Sequence, residues 1–197
     1  YRLFTDLIGL WRDKWGDDEL PFIMVQLPMF KYKNDIDHKH WCKIREAQYH
    51  IYRKLKNTGL AVLTDCGELD NIHPTDKVPV GHRLALQALA EVYGEISRAE
   101  ACAPMYRSAY ACGNTLTVLL DCAEDGFTVT GEPVGFELAG EDLEFYPANA
   151  VLGKGFITLT ADAVHAPKYA RYAWTNYMEV TVFGRNGLPL APFRTDK

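Results

Sequence analysis

The feature that most constrains the fold is a pair of short, continuous apolar segments, residues 21–27 (PFIMVQL) and 60–64 (LAVLT). Apolar runs of this length, bounded by proline or glycine, predict strands that are buried on both faces. Helical patterns flank both runs through short connections. Because strands and helices that alternate in this way join parallel strands by right-handed crossovers, residues before about 95 are predicted to form an α/β layer. Its strands are too few for a complete doubly wound sheet.

Amphipathic helices are predicted at the start of the chain, over 41–55 and over 80–93. The apolar residues expected on the buried face of the second helix are Ile44, Ala47, Ile51 and Leu55. Those of the third helix are Leu84, Leu86, Leu89, Ala90 and Val92. Gln26 is a polar residue within the first predicted strand, so it requires a partner, from a structural network or from a site at the strand end.

The chain opens at Tyr1 without a methionine or a signal peptide, and its first residues already show helical spacing. A chain that begins inside an amphipathic helix is typical of a fragment. We therefore expect it to be part of a longer protein.

The sequence changes character near residues 95–105. Beyond this region it contains short β-rich runs separated by turn signals, at 115–120, 135–138, 155–160, 169–174 and 178–183. This spacing predicts an antiparallel sandwich or part of one. We expect two domains, residues 1–98 in the α/β layer and residues 99–197 in a β-rich, sandwich-like domain.

Composition excludes several classes of function. The net charge is −5 without a basic run, so no nucleic-acid surface is predicted. No apolar stretch approaches the roughly 20 residues that a membrane-spanning helix needs. The chain has 5 cysteines and no CxxC pair, which argues against a structural zinc site. A disulfide among Cys102, Cys112 and Cys122 is possible in an oxidising compartment.

Residues 65–77 (DCGELDNIHPTDK) carry the most chemistry, because they follow a predicted strand and precede a predicted helix. A histidine at such a place, with a carboxylate close in sequence, suits a general base oriented by an acid. Asp70 lies three residues before His73, and one turn could bring it to the imidazole. Asp65 is the competing acid. On spacing alone, an ordinary polar loop is the commoner outcome.

Other reactive residues carry weaker signals. His38 and His40 lie beside Asp35 and Asp37 without an evident third ligand, so a solvated loop or part of a substrate cleft is expected there. Surface positions are the default for the remaining histidines, His50, His82 and His165.

No nucleophile is evident in the sequence. Neither Ser97 nor Ser108 lies in a strand-to-helix elbow of the Gly-x-Ser type. Cys66 could be a thiol nucleophile, but a small buried residue is the commoner reading of such a cysteine. If His73 is catalytic, its serine lies elsewhere.

An ordered set of segments resembles the sialate O-acetylesterase family, carbohydrate esterases of the SGNH/GDSL hydrolase superfamily. The matching segments are LPFIMVQLP at 20–28, REAQ at 45–48, IHPTDK at 72–77, VGHRLA at 80–85, VYG at 92–94, GFELAGED at 135–142, RYAW at 171–174 and GLPLAPFRTD at 187–196. They cover nearly the whole chain.

The resemblance implies a partial SGNH-hydrolase (flavodoxin-like) parallel sheet and a serine esterase that removes O-acetyl groups from sialic acid or related sugars. His73 matches the family histidine. The superfamily pattern maps the acid to Asp70, whereas relatives often carry it nearer the histidine, where this chain has Asn71.

In the resembled family, the serine and the oxyanion residues precede the segment that starts at Tyr1. They would belong to an N-terminal portion of the same precursor or to a separate chain, and we expect this chain alone to be inactive. The resemblance implies no metal or organic cofactor, and a secreted, periplasmic or lysosomal location.

A non-catalytic carbohydrate-binding or scaffold fragment is the alternative. Its support is a set of aromatic residues that could form a platform for sugars, namely Tyr146, Tyr169, Tyr172, Trp174 and Tyr177. Packing in the core is the simpler role for most of them.

Overall fold

A computed structural model describes residues 1–31, 34, 36 and 39–196. The fold is mixed α/β, and the chain divides into two compact units, Tyr1–Cys102 and Ala103–Lys197. The Gln87 side chain donates a hydrogen bond of 2.7 Å to the carbonyl of Ala101 and so ties the last residues of the first unit to the helix Val78–Ala88. No described helix is long and apolar enough to cross a membrane.

The first unit alternates helices and strands as predicted. Its elements are α1 (Arg2–Trp15), β1 (Phe22–Val25), α2 (His40–Lys54), β2 (Thr58–Ala61), a 3-10 turn (Thr64–Cys66), α3 (Val78–Ala88), a π-helical turn (Leu89–Tyr93) and α4 (Arg98–Ala101). Strands β1 and β2 pair in parallel, with Met24 opposite Leu60. The second strand is shorter than the apolar run that predicted it, because Thr64 already belongs to the 3-10 turn.

The buried faces of α2 and α3 differ from the prediction. Helix α2 buries Cys42, Arg45, Ile51 and Tyr52, whereas Ile44 is 44% exposed. Helix α3 buries the polar residues Arg83 and Gln87. The apolar periodicity placed Ile51 correctly. It missed Arg45, Arg83 and Gln87, which are buried because their side chains bind backbone groups of the neighbouring strand segments.

Helix α3 closes the edge of β2. In β1, the N–H groups of Phe22 and Gln26 bind carbonyls of the second strand segment, so the Leu60 N–H and the Val62 carbonyl point away from β1. The Leu60 N–H donates to Gln87 Oε1 at 3.0 Å. Arg83 Nη1 donates to the Val62 carbonyl at 2.8 Å. Side chains of α3 therefore occupy the place of a further strand.

The outer edge of β1 is only partly closed. Gln48 of α2 accepts a hydrogen bond from the Leu27 N–H at 3.0 Å and donates to the Val25 carbonyl at 2.8 Å. Within the described residues, no hydrogen bond is recorded for the outward N–H groups of Ile23 and Val25. These groups leave room for another strand on that side.

Gln26 has one of the partners that its position requires. Its Nε2 donates to the Arg45 carbonyl at 3.2 Å, whereas its buried Oε1 has no hydrogen-bond partner among the described residues. Burial also lowers the pKa of Arg45 to about 10, since the charged guanidinium is removed from water. Of the two roles expected for Gln26, the structure shows a hydrogen bond to the backbone of α2, which is a structural contact.

The second unit is β-rich. Its strands are β3 (Met105–Cys112), β4 (Thr115–Asp121), β5 (Phe127–Val129), β6 (Phe136–Ala139), β7 (Tyr146–Pro147), β8 (Asn149–Leu152), β9 (Phe156–Thr160), β10 (Tyr169–Tyr172), β11 (Val182–Gly184) and β12 (Phe193–Arg194). They form antiparallel sheets in the orders β3-β4-β9-β8, β12-β10-β6-β7 and β11-β5.

Alternation along β4 and β9 builds the core of this unit. The fully buried residues are Leu116, Val118, Leu120, Ile157 and Leu159. The sequence predicted β4, β6, β9 and β10, and the predicted run 178–183 overlaps β11 only at its end. It missed β3, β5, β7, β8 and β12. Among the described residues, which include every cysteine of the chain, no disulfide is present.

Candidate active site

The chemistry-bearing loop lies where β1 and β2 end. Gly67 packs so closely on the backbone of Met29 that an added Cβ would lie 2.0 Å from the Met29 carbonyl oxygen. Beside it, the Lys31 N–H donates to the Leu69 carbonyl at 3.1 Å. The segments that follow β1 and β2 therefore lie side by side at the carboxyl ends of parallel strands, where α/β folds place their ligands.

The Glu68 carboxylate joins Asn71 and Thr75 of this loop by hydrogen bonds. Its Oε1 accepts hydrogen bonds from the Thr75 N–H at 2.6 Å and from the Thr75 hydroxyl at 2.8 Å. Its Oε2 accepts one from Asn71 Nδ2 at 3.0 Å. The contacts with Thr75, followed by that with Asn71, hold the pKa of Glu68 below its ordinary value of 4.5. Glu68 is thus ionised and bound on both sides of the histidine.

His73 stands at the outer end of the loop with an exposed side chain. Its backbone N–H donates to Asn71 Oδ1 at 2.9 Å. The next residue, Pro74, is buried, and the Lys77 ammonium binds the Pro74 carbonyl. The backbone around His73 is therefore fixed while its imidazole remains accessible to another molecule.

Asp70 is exposed in the same loop. The structure describes Asp70 and His73 fully and records no hydrogen bond or ion pair between their side chains. The role of Asp70 as the orienting acid is not tested by this geometry, because catalytic hydrogen bonds are often absent until a site is complete.

Asp65 is committed to another partner. Its carboxylate binds the Arg83 guanidinium through two hydrogen bonds, of 2.5 Å and 2.7 Å. Burial opposes the charge of Arg83, but the contacts and the negative charge of Asp65 outweigh it and raise the pKa of Arg83. In this arrangement Asp65 holds the middle of α3 beside the end of β2.

Cys66 is a poor nucleophile at neutral pH. Burial, followed by the negative charge of Asp65, raises the pKa of its thiol to about 11. Since the thiolate is the reactive species, Cys66 is protonated at neutral pH.

Comparison with known proteins relates this chain to acetylesterases. No family model matches the chain. Over 108 residues the chain is 33% identical to a sialate O-acetylesterase from Mus musculus. Its fold matches a solved structure of a novel carbohydrate acetylesterase from Xanthomonas citri with a TM-score of 0.92 and 38% sequence identity, over 98% of this chain. This chain is a homologue of carbohydrate acetylesterases.

This chain corresponds to less than half of the length of each of these two relatives. The curated match covers 47% of this chain and 20% of the mouse protein. The structural match covers 45% of the bacterial chain. The resemblance to the sialate O-acetylesterase family that the sequence predicted is confirmed by both comparisons.

The remaining serine and histidine candidates of this chain occupy helix-cap and surface positions. Ser97 caps α4, where its hydroxyl and Glu100 form a reciprocal capping box. Ser108 is exposed on β3. His82 and His165 are exposed, and His50 lies 3.9 Å from the Glu46 carboxylate.

The predicted pair His38 and His40 lies partly outside the described residues, as do Asp35 and Asp37. His40 begins α2. Among the described side chains, no group of three or more histidine, cysteine or carboxylate residues could hold a metal ion.

The aromatic platform loses two of its members. Tyr172 is fully buried and Trp174 is 5% exposed, so both belong to the core of the second unit. Tyr146 is 38% exposed, and its hydroxyl donates to Glu144. For Tyr172 and Trp174, the simpler reading as core residues is confirmed.

Sequence reasoning missed Glu68 and Arg83. Glu68 stood within the quoted loop, but a single glutamate in a polar loop has no periodicity that distinguishes it. Arg83 and Gln87 carried a usable signal, because they are polar residues one helical turn apart in a predicted amphipathic helix. Such a pair can satisfy the open edge of a strand.

Proposed function

We propose that this chain is the histidine-bearing portion of a serine carbohydrate esterase that removes O-acetyl groups from sialic acid or related sugars. The observation that carries the proposal is the exposed imidazole of His73 on a fastened loop at the carboxyl end of β2, in a homologue of carbohydrate acetylesterases. The nucleophilic serine and the oxyanion donors come from a portion outside this chain. The chain alone is then inactive.

In this mechanism the imidazole of His73 accepts the proton of the serine hydroxyl as the serine oxygen attacks the acetyl carbonyl. The tetrahedral intermediate collapses when His73 returns the proton to the sugar oxygen, which releases the deacetylated sugar. Water then attacks the acetyl-serine by the same route and releases acetate. The exposure of the imidazole supports this role, because the serine must reach it from another segment.

Asp70 is the proposed orienting acid. The two hydrogen bonds between Asp65 and Arg83 favour Asp70, since Asp65 would have to abandon a partly buried guanidinium to serve the histidine. Asp70 is exposed and lies three residues before His73, so it can turn to the imidazole when the site is complete.

The parallel pair β1-β2 is, in this proposal, part of a larger SGNH-type (flavodoxin-like) sheet, and the β-rich unit is an accessory domain. The open N–H groups of Ile23 and Val25 favour a further strand beside β1, supplied by the serine-bearing portion. Helix α1 also exposes apolar side chains, with Leu3 86% and Trp15 69% exposed. A secreted, periplasmic or lysosomal location belongs to the same proposal.

The test replaces His73 by glutamine in the full-length protein that includes the serine-bearing portion. Release of acetate from O-acetylated sialic acid and from 4-nitrophenyl acetate is measured, together with labelling by a serine-directed phosphonate. We expect His73→Gln to reduce kcat by at least about 10³-fold, because the general base is lost.

His82→Gln is the matched control, since His82 is also exposed in the same unit. It should retain activity within twofold. If His73→Gln keeps more than a tenth of the wild-type rate, His73 is not the base. If the wild-type protein releases no acetate and takes no label, the chain belongs to a non-catalytic binding or scaffold protein.

A further inference from the structure

The loop that carries His73 depends on one carboxylate. Glu68 binds Asn71, two residues before the histidine, and Thr75, two residues after it. A single side chain therefore closes the loop around His73 from both sides.

Asn71 connects Glu68 to the histidine itself. Its amide nitrogen donates to Glu68 Oε2 at 3.0 Å, and its amide oxygen accepts the His73 N–H at 2.9 Å. Because Glu68 accepts only from the nitrogen end of the amide, it sets which way the amide points. The oxygen end is then directed to His73.

The residues on either side of Glu68 contact the segment that follows β1. Glu68 follows Gly67, which lies against the backbone of Met29. On its other side, Leu69 accepts a hydrogen bond from Lys31 at 3.1 Å. The carboxylate is thus placed by backbone contacts with the segment after β1, and it transmits that position to the loop.

We propose that Glu68 is a positioning residue of the esterase, which fixes the backbone of His73 through Asn71 and Thr75 so that the imidazole meets the serine in a productive geometry. This inference rests on the proposed function. A catalytic group displaced by about 1 Å loses on the order of 100-fold in rate, so a loosened loop should lower turnover.

The test compares Glu68→Gln with wild type in the full-length protein. Glutamine has one accepting oxygen in place of two. Its NH₂ group would face a donor of Asn71 or Thr75 and could not accept from it, so the hydrogen bonds to one of these two residues are lost. Rates are expressed per serine titrated with the phosphonate, which removes any unfolded fraction. We expect kcat to fall about tenfold and KM for 4-nitrophenyl acetate to change less than twofold, because only the transition-state geometry is impaired.

Two further variants refine the test. Thr75→Val removes the hydroxyl contact but keeps the backbone N–H, so a decrease of about threefold in kcat is expected even if Glu68→Gln folds poorly. Glu132→Gln, at an exposed glutamate of the second unit, is the control and should match wild type. Amide exchange of the peptide 68–77 should quicken in both loop variants.

The outcomes separate the two proposals. A wild-type protein without esterase activity overturns the proposed function, and the role of Glu68 with it. If wild type is active and Glu68→Gln keeps its kcat per titrated serine, Glu68 is not a positioning residue, whether or not exchange of the loop quickens. Unchanged exchange together with reduced kcat would show that Glu68 acts otherwise than by holding the loop.

Discussion

The Asp65 carboxylate grips the Arg83 guanidinium through both of its oxygens, at 2.5 Å and 2.7 Å, while the same guanidinium holds the Val62 carbonyl at 2.8 Å. The side chain of Arg83 is 9% exposed and that of Asp65 is 20% exposed. The guanidinium is largely removed from water while the carboxylate keeps some contact with it, so Arg83 depends on Asp65 for its charged partner. It joins the end of β2 to α3, directly before the loop of His73.

Removal of the carboxylate should destabilise the first unit. We expect Asp65→Ala to lower the free energy of unfolding by about 2–3 kcal/mol, because the buried guanidinium loses two charged hydrogen bonds. Urea unfolding followed by circular dichroism measures the change. Arg107→Gln is the control, since Arg107 is 50% exposed and lies 3.5 Å from its partner Asp121. It should cost no more than about 1 kcal/mol, and an equal loss in both variants would contradict the argument.

The choice between the two acids can be made by activity. If the full-length protein is the proposed esterase, Asp70→Asn should reduce its kcat by at least about 100-fold, because an amide at this position cannot stabilise the imidazolium. Asp65→Asn keeps one acceptor for Arg83 and should reduce kcat less than tenfold. The measurement is the steady-state kcat of each variant, expressed per serine titrated with the phosphonate. The reverse order of the two effects would assign the acid to Asp65.

The parallel layer was predictable because local sequence determines it. Residues 21–27 are apolar and bounded by prolines, so they favour a buried strand whatever surrounds them. Asn57, which follows α2, has a φ of 53°, a left-handed conformation that asparagine adopts more readily than most residues. Signals of this kind lie within a few residues of the feature that they specify.

The faces of the helices were not predictable from periodicity alone. Arg45 is fully buried and Ile44 is 44% exposed, which reverses their hydrophobic ranking. Gln87 is buried because it binds the backbone of β2, a strand 27 residues earlier in the chain. In the candidate site, His73 was identified from the resemblance, whereas Glu68 was missed because its partners are defined only by the folded loop.

Gln87 supports a second prediction of stability. Its amide accepts from the Leu60 N–H at 3.0 Å and donates to the Ala101 carbonyl at 2.7 Å. Gln87→Leu would leave both buried backbone groups without a partner, so a loss of about 2–4 kcal/mol is expected in urea unfolding. His82→Gln, on the exposed face of the same helix, should change stability by less than about 0.5 kcal/mol. A loss below about 1 kcal/mol for Gln87→Leu would mean that water replaces the amide.

Gly67 should not tolerate a side chain. An added Cβ would lie 2.0 Å from the carbonyl oxygen of Met29. The atoms that it would meet belong to the backbone, so they cannot move aside as a flexible side chain could. We expect Gly67→Ala to destabilise the unit by about 1–3 kcal/mol, as overpacking does. Gly81→Ala is the matched control, because nothing lies within 4 Å of its added Cβ in α3. That change should stabilise by about 0.5–1 kcal/mol, and the opposite signs can be read from thermal unfolding.

Acid should release the loop of His73. The contacts with Thr75 and Asn71 depress the pKa of Glu68 in the folded chain, so they contribute stability that is fully present above its ordinary value of 4.5 and is lost as the pH falls through the depressed value. Amide exchange of the peptide 68–77, corrected for intrinsic rates, should therefore stay slow down to pH 4.5 and quicken below it. Glu68→Gln should show the faster exchange at neutral pH and little further response to acid. A wild-type loop that loosens well above pH 4.5 would indicate that another group, and not Glu68, controls it.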